Sequence, residues 1–173
     1  TTGFVWQGLF NFYELYLATK GLDPATARNL LTLIFAAGVP AFFVSGRLAD
    51  RLPRVPYLLA IVGSFAGCLL LLTLTRGFVG VLAVTAVTGY VIHSLFPAID
   101  TYLLDALPDD SRASAYAWYA AGMMTVQATG SSAVGALREA GFGYDLVFTR
   151  LAFGLAVVVA GLAVLQHRGR LPQ

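Results

Sequence analysis

Gly46-Arg47-Leu48-Ala49-Asp50-Arg51-Leu52-Pro53-Arg54 is a short charged turn between two long apolar runs, and it decides how the chain is read. Upstream lies an apolar stretch from Thr26 to Leu48, downstream another from Pro56 to Thr75. Working outward, the same alternation continues: Gly3 to Thr19 before the first break, then Phe78 to Leu104, Ala113 to Leu137 and Tyr144 to Gln166. Each run is long enough to cross a hydrocarbon core, and continuous helix is the open-ended structure that satisfies its own backbone there. The chain therefore reads as all-α, a polytopic membrane protein of six transmembrane helices.

Composition excludes the other classes. Of 173 residues, 58% are hydrophobic and 12% charged, and the mean hydropathy is +0.75. A water-soluble domain does not carry that balance. Six spans at about 20 residues each use roughly 120 residues, leaving about 50 for short loops. The net charge of +2 comes from scattered single cations with no basic stripe, so nucleic acid is not a partner. Cys68 is the one cysteine; it excludes an internal disulfide and reads as a small apolar filler. The sequence opens on Thr1 with apolar residues at once, without a basic lead or cleavage signature, and reads as a fragment of a longer chain. With no long linker, residues 1–173 form one six-helix bundle.

The breaks supply helix starts. Asp23-Pro24 precedes the second span and Pro108-Asp109-Asp110-Ser111 the fifth, where side-chain oxygens can accept from unpaired amides; Asp145 is placed to do the same for the sixth. Tyr13, Tyr16, Tyr57, Tyr102, Tyr116, Trp118, Tyr119 and Tyr144 fall near span ends, where amphipathic rings favour the interface. One face carries Arg47, Arg51, Arg54, Arg112, Arg168 and Arg170, the other Lys20, Arg28, Arg76, Arg138 and Arg150. That six-to-five margin leans towards a cytoplasmic location for the first face. Gly63, Gly67, Gly130, Ser131, Ser132 and Gly135 are small enough for close helix packing in lipid, and Pro40 and Pro97 interrupt the second and fourth spans.

Residues 1–75 and 76–173 punctuate alike. Gly46-Arg47-Leu48 closes the second span as Gly135-Ala136-Leu137 closes the fifth, and Asp-containing turns at residues 23 and 109 open the same two spans. Three is odd, so the second unit enters from the opposite side, which makes the pair a candidate inverted repeat.

The turn at residues 46–54 resembles the G-x-L-A-D-R-x-G-R signature of the major facilitator superfamily, found between the second and third helices of each six-helix half. Six of its seven specified positions match, and Pro53 stands where the pattern has its second Gly. Asp105 to Arg112, read as D-x-x-P-x-x-x-R, resembles the loop after the fourth helix, and Trp6 through Leu22 the opening helix of the C-terminal half. The resemblance implies half of a major facilitator fold, joined to an N-terminal six-helix half in the plasma membrane. It implies a secondary active transporter that moves a small solute by alternating access, with a coupling proton or ion, no cofactor and no covalent chemistry. Gly46, Asp50, Arg51, Arg54, Asp105 and Arg112 are then the gating motif, with Arg54 near Asp105 and Asp50 facing a helix start in the other half. Independently of family, Asp50 beside Arg51 and Arg54 can form a charge-assisted network that holds two bundles in one arrangement.

Polar groups inside spans point to the solute path. Gln7, Asn11 and Glu14 lie within about 60° of one another on the first helix. His93, Pro97 and Asp100 form a stripe on the fourth, where His93 and Asp100 could relay a proton, and Gln127 sits near Met123, Gly130 and Ser131 on the fifth. Gln7, Asn11, Glu14, His93, Asp100 and Gln127 are the candidate substrate-cavity residues. The third and sixth spans are almost uniformly aliphatic and read as the lipid-facing pair.

Two other readings compete. A self-contained six-helix channel or a half-transporter that dimerises would need no second half. An intramembrane enzyme would need reactive groups converging at one depth. Ser64 with His93 is the nearest approach to a protease, and Asp105, Asp109 and Asp110 to a metal-dependent transferase; neither has the surrounding motif.

Overall fold

A computed structural model describes residues 1–169; Arg170, counted above among the cations of one face, lies outside them. Six helices follow one another: α1 (Thr2–Thr19), α2 (Pro24–Ala49), α3 (Arg54–Leu74), α4 (Phe78–Ala106), α5 (Arg112–Glu139) and α6 (Tyr144–His167). Each boundary falls within two residues of the apolar run that predicts it. The turns are only a few residues long, and Gly21, Gly77 and Gly141 adopt positive φ within three of them.

α2, α3, α4 and α6 are long and apolar enough to cross a membrane by length and composition. α1 and α5 fall short of that measure. They carry Gln7, Asn11 and Glu14, and Gln127, Ser131 and Ser132, and the two helices pack side by side. Polar groups that meet each other between helices need not face hydrocarbon.

Four pairings make up most of the bundle: α2 with α4, α1 with α5, α3 with α6, and α3 with α4. Two are built on glycine. A Cβ on Gly89 of α4 would lie 2.4 Å from the Ile34 carbonyl oxygen of α2, and one on Gly130 of α5 would lie 2.0 Å from the Phe4 carbonyl oxygen of α1. No side chain fits at either crossing. Gly130 thus packs as its small size predicts, but Gly67 has open space around it and Gly63 meets only Val159 at 3.8 Å, so that pair does not make a close crossing. Their helix, α3, packs through Phe65, Leu69 and Leu72 instead.

The main core gathers Leu9, Tyr13, Tyr16 and Leu17 of α1 with Ile34, Phe65, Leu69, Leu72, Val81, Phe148 and Leu155. Tyr13 and Tyr16 are each 1% exposed, so they are core residues and not interfacial anchors. Their hydroxyls explain the difference. Tyr13 bonds Thr85 of α4, and Tyr16 donates to Asp145 at 2.5 Å, giving each buried phenol a partner inside the bundle.

The helix starts divide. Asp23 caps α2, accepting from the amides of Ala25 and Thr26 at 3.0 Å each, with Pro24 in the first turn. Ser111 and Gly143 stand at the N-caps of α5 and α6 without a side-chain cap bond. Asp109 pairs with Arg112 instead of capping, and Asp145 lies inside the first turn with its carboxylate drawn to Tyr16, Lys20 and Arg76. Competing cations and a buried phenol outbid the backbone amides for these carboxylates.

α2 and α4 run continuously through Pro40 and Pro97. Beside Pro97, Tyr57 donates to Ser45 at 2.8 Å and Ser45 to the Ser94 carbonyl at 2.6 Å, tying α3, α2 and α4 together.

Candidate functional site

Three groups of polar and charged residues include the candidate positions. The first is a polar seam between α1 and α5. Both helices run in the same direction, so residues one turn apart on α1 meet successive turns of α5. Gln127 donates to Gln7 at 3.4 Å, Asn11 donates to Ser131, and Ser131 donates to the Gln7 carbonyl at 3.2 Å. Gln7, Asn11 and Gln127, identified separately by polarity, thus belong to one network. Asn11 is exposed and Gln7 and Gln127 are partly so, which leaves the seam open along one side. Glu14 lies on the same face of α1, partly buried, with no ion pair among the described residues.

The second group surrounds His93. This residue is 8% exposed, and its Nδ1 lies 2.8 Å from the Gly89 carbonyl of its own helix. Trp6, Phe35, Phe42 and Phe96 place their ring centroids 5.6–6.2 Å from the imidazole. Gly38 makes room for the ring: a Cβ there would fall 2.5 Å from the His93 Cγ. Asp100 is elsewhere, accepting from Tyr116 of α5 at 2.9 Å. Seven residues of α-helix advance about 10 Å, so the two groups share a stripe without touching. The sequence located His93 but not its aromatic surroundings, because those rings come from α1, α2 and α4 at no common spacing.

The third group is the charged turn between α2 and α3. Arg54, at the first residue of α3, pairs with Asp105 near the end of α4. A groove of about 630 Å³ lies against it, lined by Asp50, Arg51, Pro53, Arg54, Thr101 and Asp105 among others. Asp50 caps the end of α2 and is exposed. Its carboxylate forms no ion pair among the described residues, so the local network of Asp50 with Arg51 and Arg54 is not formed. Gly46 has open space around it. Arg112 donates to the Leu107 carbonyl at 3.3 Å and pairs with Asp109, while its buried Nε has no partner among the described residues.

With the helical bundle and charged turn in place, a family comparison is decisive: the Major Facilitator Superfamily model matches residues 1–170. The chain belongs to the major facilitator superfamily. No curated protein and no solved structure matches it. Membership in the superfamily supports a transporter-type function in general, acting on small molecules within a lipid bilayer.

Proposed function

We propose that the chain forms half of a secondary active transporter that carries a small solute across the plasma membrane by alternating access, coupled to a proton or another ion. An N-terminal six-helix half completes the path. α1, α2, α4 and α5 line it, while α3 and α6 stand against lipid.

The observation that carries this reading is the seam of Gln7, Asn11, Gln127 and Ser131 on the two least apolar helices. Amides held by one another yet open on one side can exchange partners with a passing solute. Part of the helix pairing supports two inverted units, residues 1–75 and 76–173: exchanging the units turns the α2–α4 pairing into α5–α1 and returns α3–α6 to itself, whereas the extensive α3–α4 packing has only a slight α6–α1 counterpart. In this reading Glu14, His93 and Asp100 complete the cavity wall. Gly46, Asp50, Arg51, Arg54, Asp105 and Arg112 hold the closed arrangement at one face, with Asp50 free to meet the other half.

Cysteine accessibility tests it. With Cys68 replaced by Ser, a cysteine at position 7 or 127 is expected to react with a membrane-impermeant thiol reagent from opposite sides of the membrane in the two transport states. Unchanged labelling from both sides under an imposed gradient would refute alternating access at this seam.

A further inference from the structure

At the membrane face opposite the Arg54–Asp105 pair, the ends of α1 and α5, the α3–α4 turn and the start of α6 enclose a hollow of about 330 Å³ lined by Thr19, Lys20, Arg76, Arg138, Tyr144 and Asp145 among others. Two cations share one carboxylate there, and a third, Arg138, stands on the same wall. Asp145 accepts from Tyr16 at 2.5 Å, lies 3.4 Å from Lys20 and 2.9 Å from Arg76. The Lys20 side chain is only 1% exposed. Its ammonium also donates to the carbonyls of Thr73 and Thr75 at 3.3 and 3.1 Å and lies 4.8 Å from the Tyr16 ring centroid. Burial pulls Lys20 below its ordinary pKa, and Asp145 opposes that shift.

Both guanidiniums have donors to spare. Arg76 uses one to Asp145, and Arg138 donates to the Phe142 carbonyl at 2.6 Å while stacking 4.2 Å from the Tyr144 ring centroid. Each guanidinium carries five N–H groups in a planar fork suited to an oxyanion. The uncapped start of α6 adds unpaired amides on the same wall, through Gly143 and Tyr144.

We propose that this hollow binds a phosphate-class oxyanion, and that its occupant is the headgroup phosphate of an anionic phospholipid. The lipid assignment rests on position. The hollow sits at the aqueous ends of α3 and α6, the two most apolar helices. Further along α6, Phe153 and Val157 are 60% and 71% exposed. A phospholipid whose tails lie along that surface brings its phosphate to the level of Arg76.

The test is a thermal-stability titration of the protein in neutral detergent with phosphatidylglycerol, phosphatidylcholine or inorganic phosphate. Phosphatidylglycerol is expected to raise Tm and phosphatidylcholine not to. Arg76→Gln is expected to weaken the response to phosphatidylglycerol about tenfold, whereas Arg28→Gln, a cation on the same face outside the hollow, leaves it unchanged. Because Arg76 also pairs with Asp145, Arg76→Lys serves as the second variant, expected to keep the preference for phosphatidylglycerol. Equal responses to the two lipids, or equal losses in Arg76→Gln and Arg28→Gln, would overturn the site. Inorganic phosphate matching the phosphatidylglycerol shift would overturn the lipid assignment and make the occupant a soluble anion.

Discussion

The Arg54 guanidinium donates to the Asp105 carboxylate, joining the first residue of α3 to the last turn of α4 at one membrane face. Both side chains are nearly half exposed, 42% and 48%. Such a pair contributes roughly 0–1 kcal/mol to folding, so its value is positional. Asp105→Asn or Arg54→Gln is therefore expected to change Tm little and to slow uptake at least several-fold. The double substitution should be no worse than either single one, because both remove the same link. Uptake into vesicles alongside thermal melting separates the two effects.

Substituting the crossing glycines should act in the opposite way, through stability. Gly89→Ala and Gly130→Ala force α4 from α2 and α5 from α1, with an expected cost of about 1–3 kcal/mol each. Gly67→Ala meets nothing and lies within α3, where alanine is the better helix former by about 1 kcal/mol, so it should be neutral or stabilising. Comparing the three melting temperatures in detergent checks the ranking.

The α2 cap predicts a pH dependence. Bonding from Thr26, side chain first and then amide, together with the Ala25 amide, holds the Asp23 carboxyl below its ordinary pKa. A group depressed in the folded state stabilises fully above its unfolded value, about 3.9 for Asp, and loses that contribution as pH falls through the folded value. The Tm difference between the native chain and Asp23→Ala should therefore be constant from about pH 5 upward and shrink in more acidic buffer.

For the seam, Asn11→Leu and Gln127→Leu are expected to raise the substrate KM by about tenfold, the loss of one or two hydrogen bonds. Stability should change little, since Asn11 is exposed and Gln127 only partly enclosed. Initial uptake rates against substrate concentration, paired with melting curves, provide the measurement. A fall in stability without a change in KM would make the seam a packing device alone.

The spans were legible because charged turns such as Arg47 to Arg54 interrupt apolar runs that nothing else could break. The seam was half legible: polarity singled out Gln7, Asn11 and Gln127 but could not say that they meet. Tyr13 and Tyr16 misled, since a tyrosine near a span end looks interfacial until Thr85 and Asp145 are brought beside it. The cluster around Lys20 escaped notice for the same reason. Its members come from four separate parts of the chain, and no periodicity links them.

The contact of Gly130 with the Phe4 backbone has a mechanical consequence. Where two main chains touch with no side chain between them, neither can slide along the other without lifting away. α1 and α5 are thereby clasped, and so are α2 and α4 at Gly89. Any rearrangement of the bundle must carry each couple as a single lever, with the flexing left to the short turns between them.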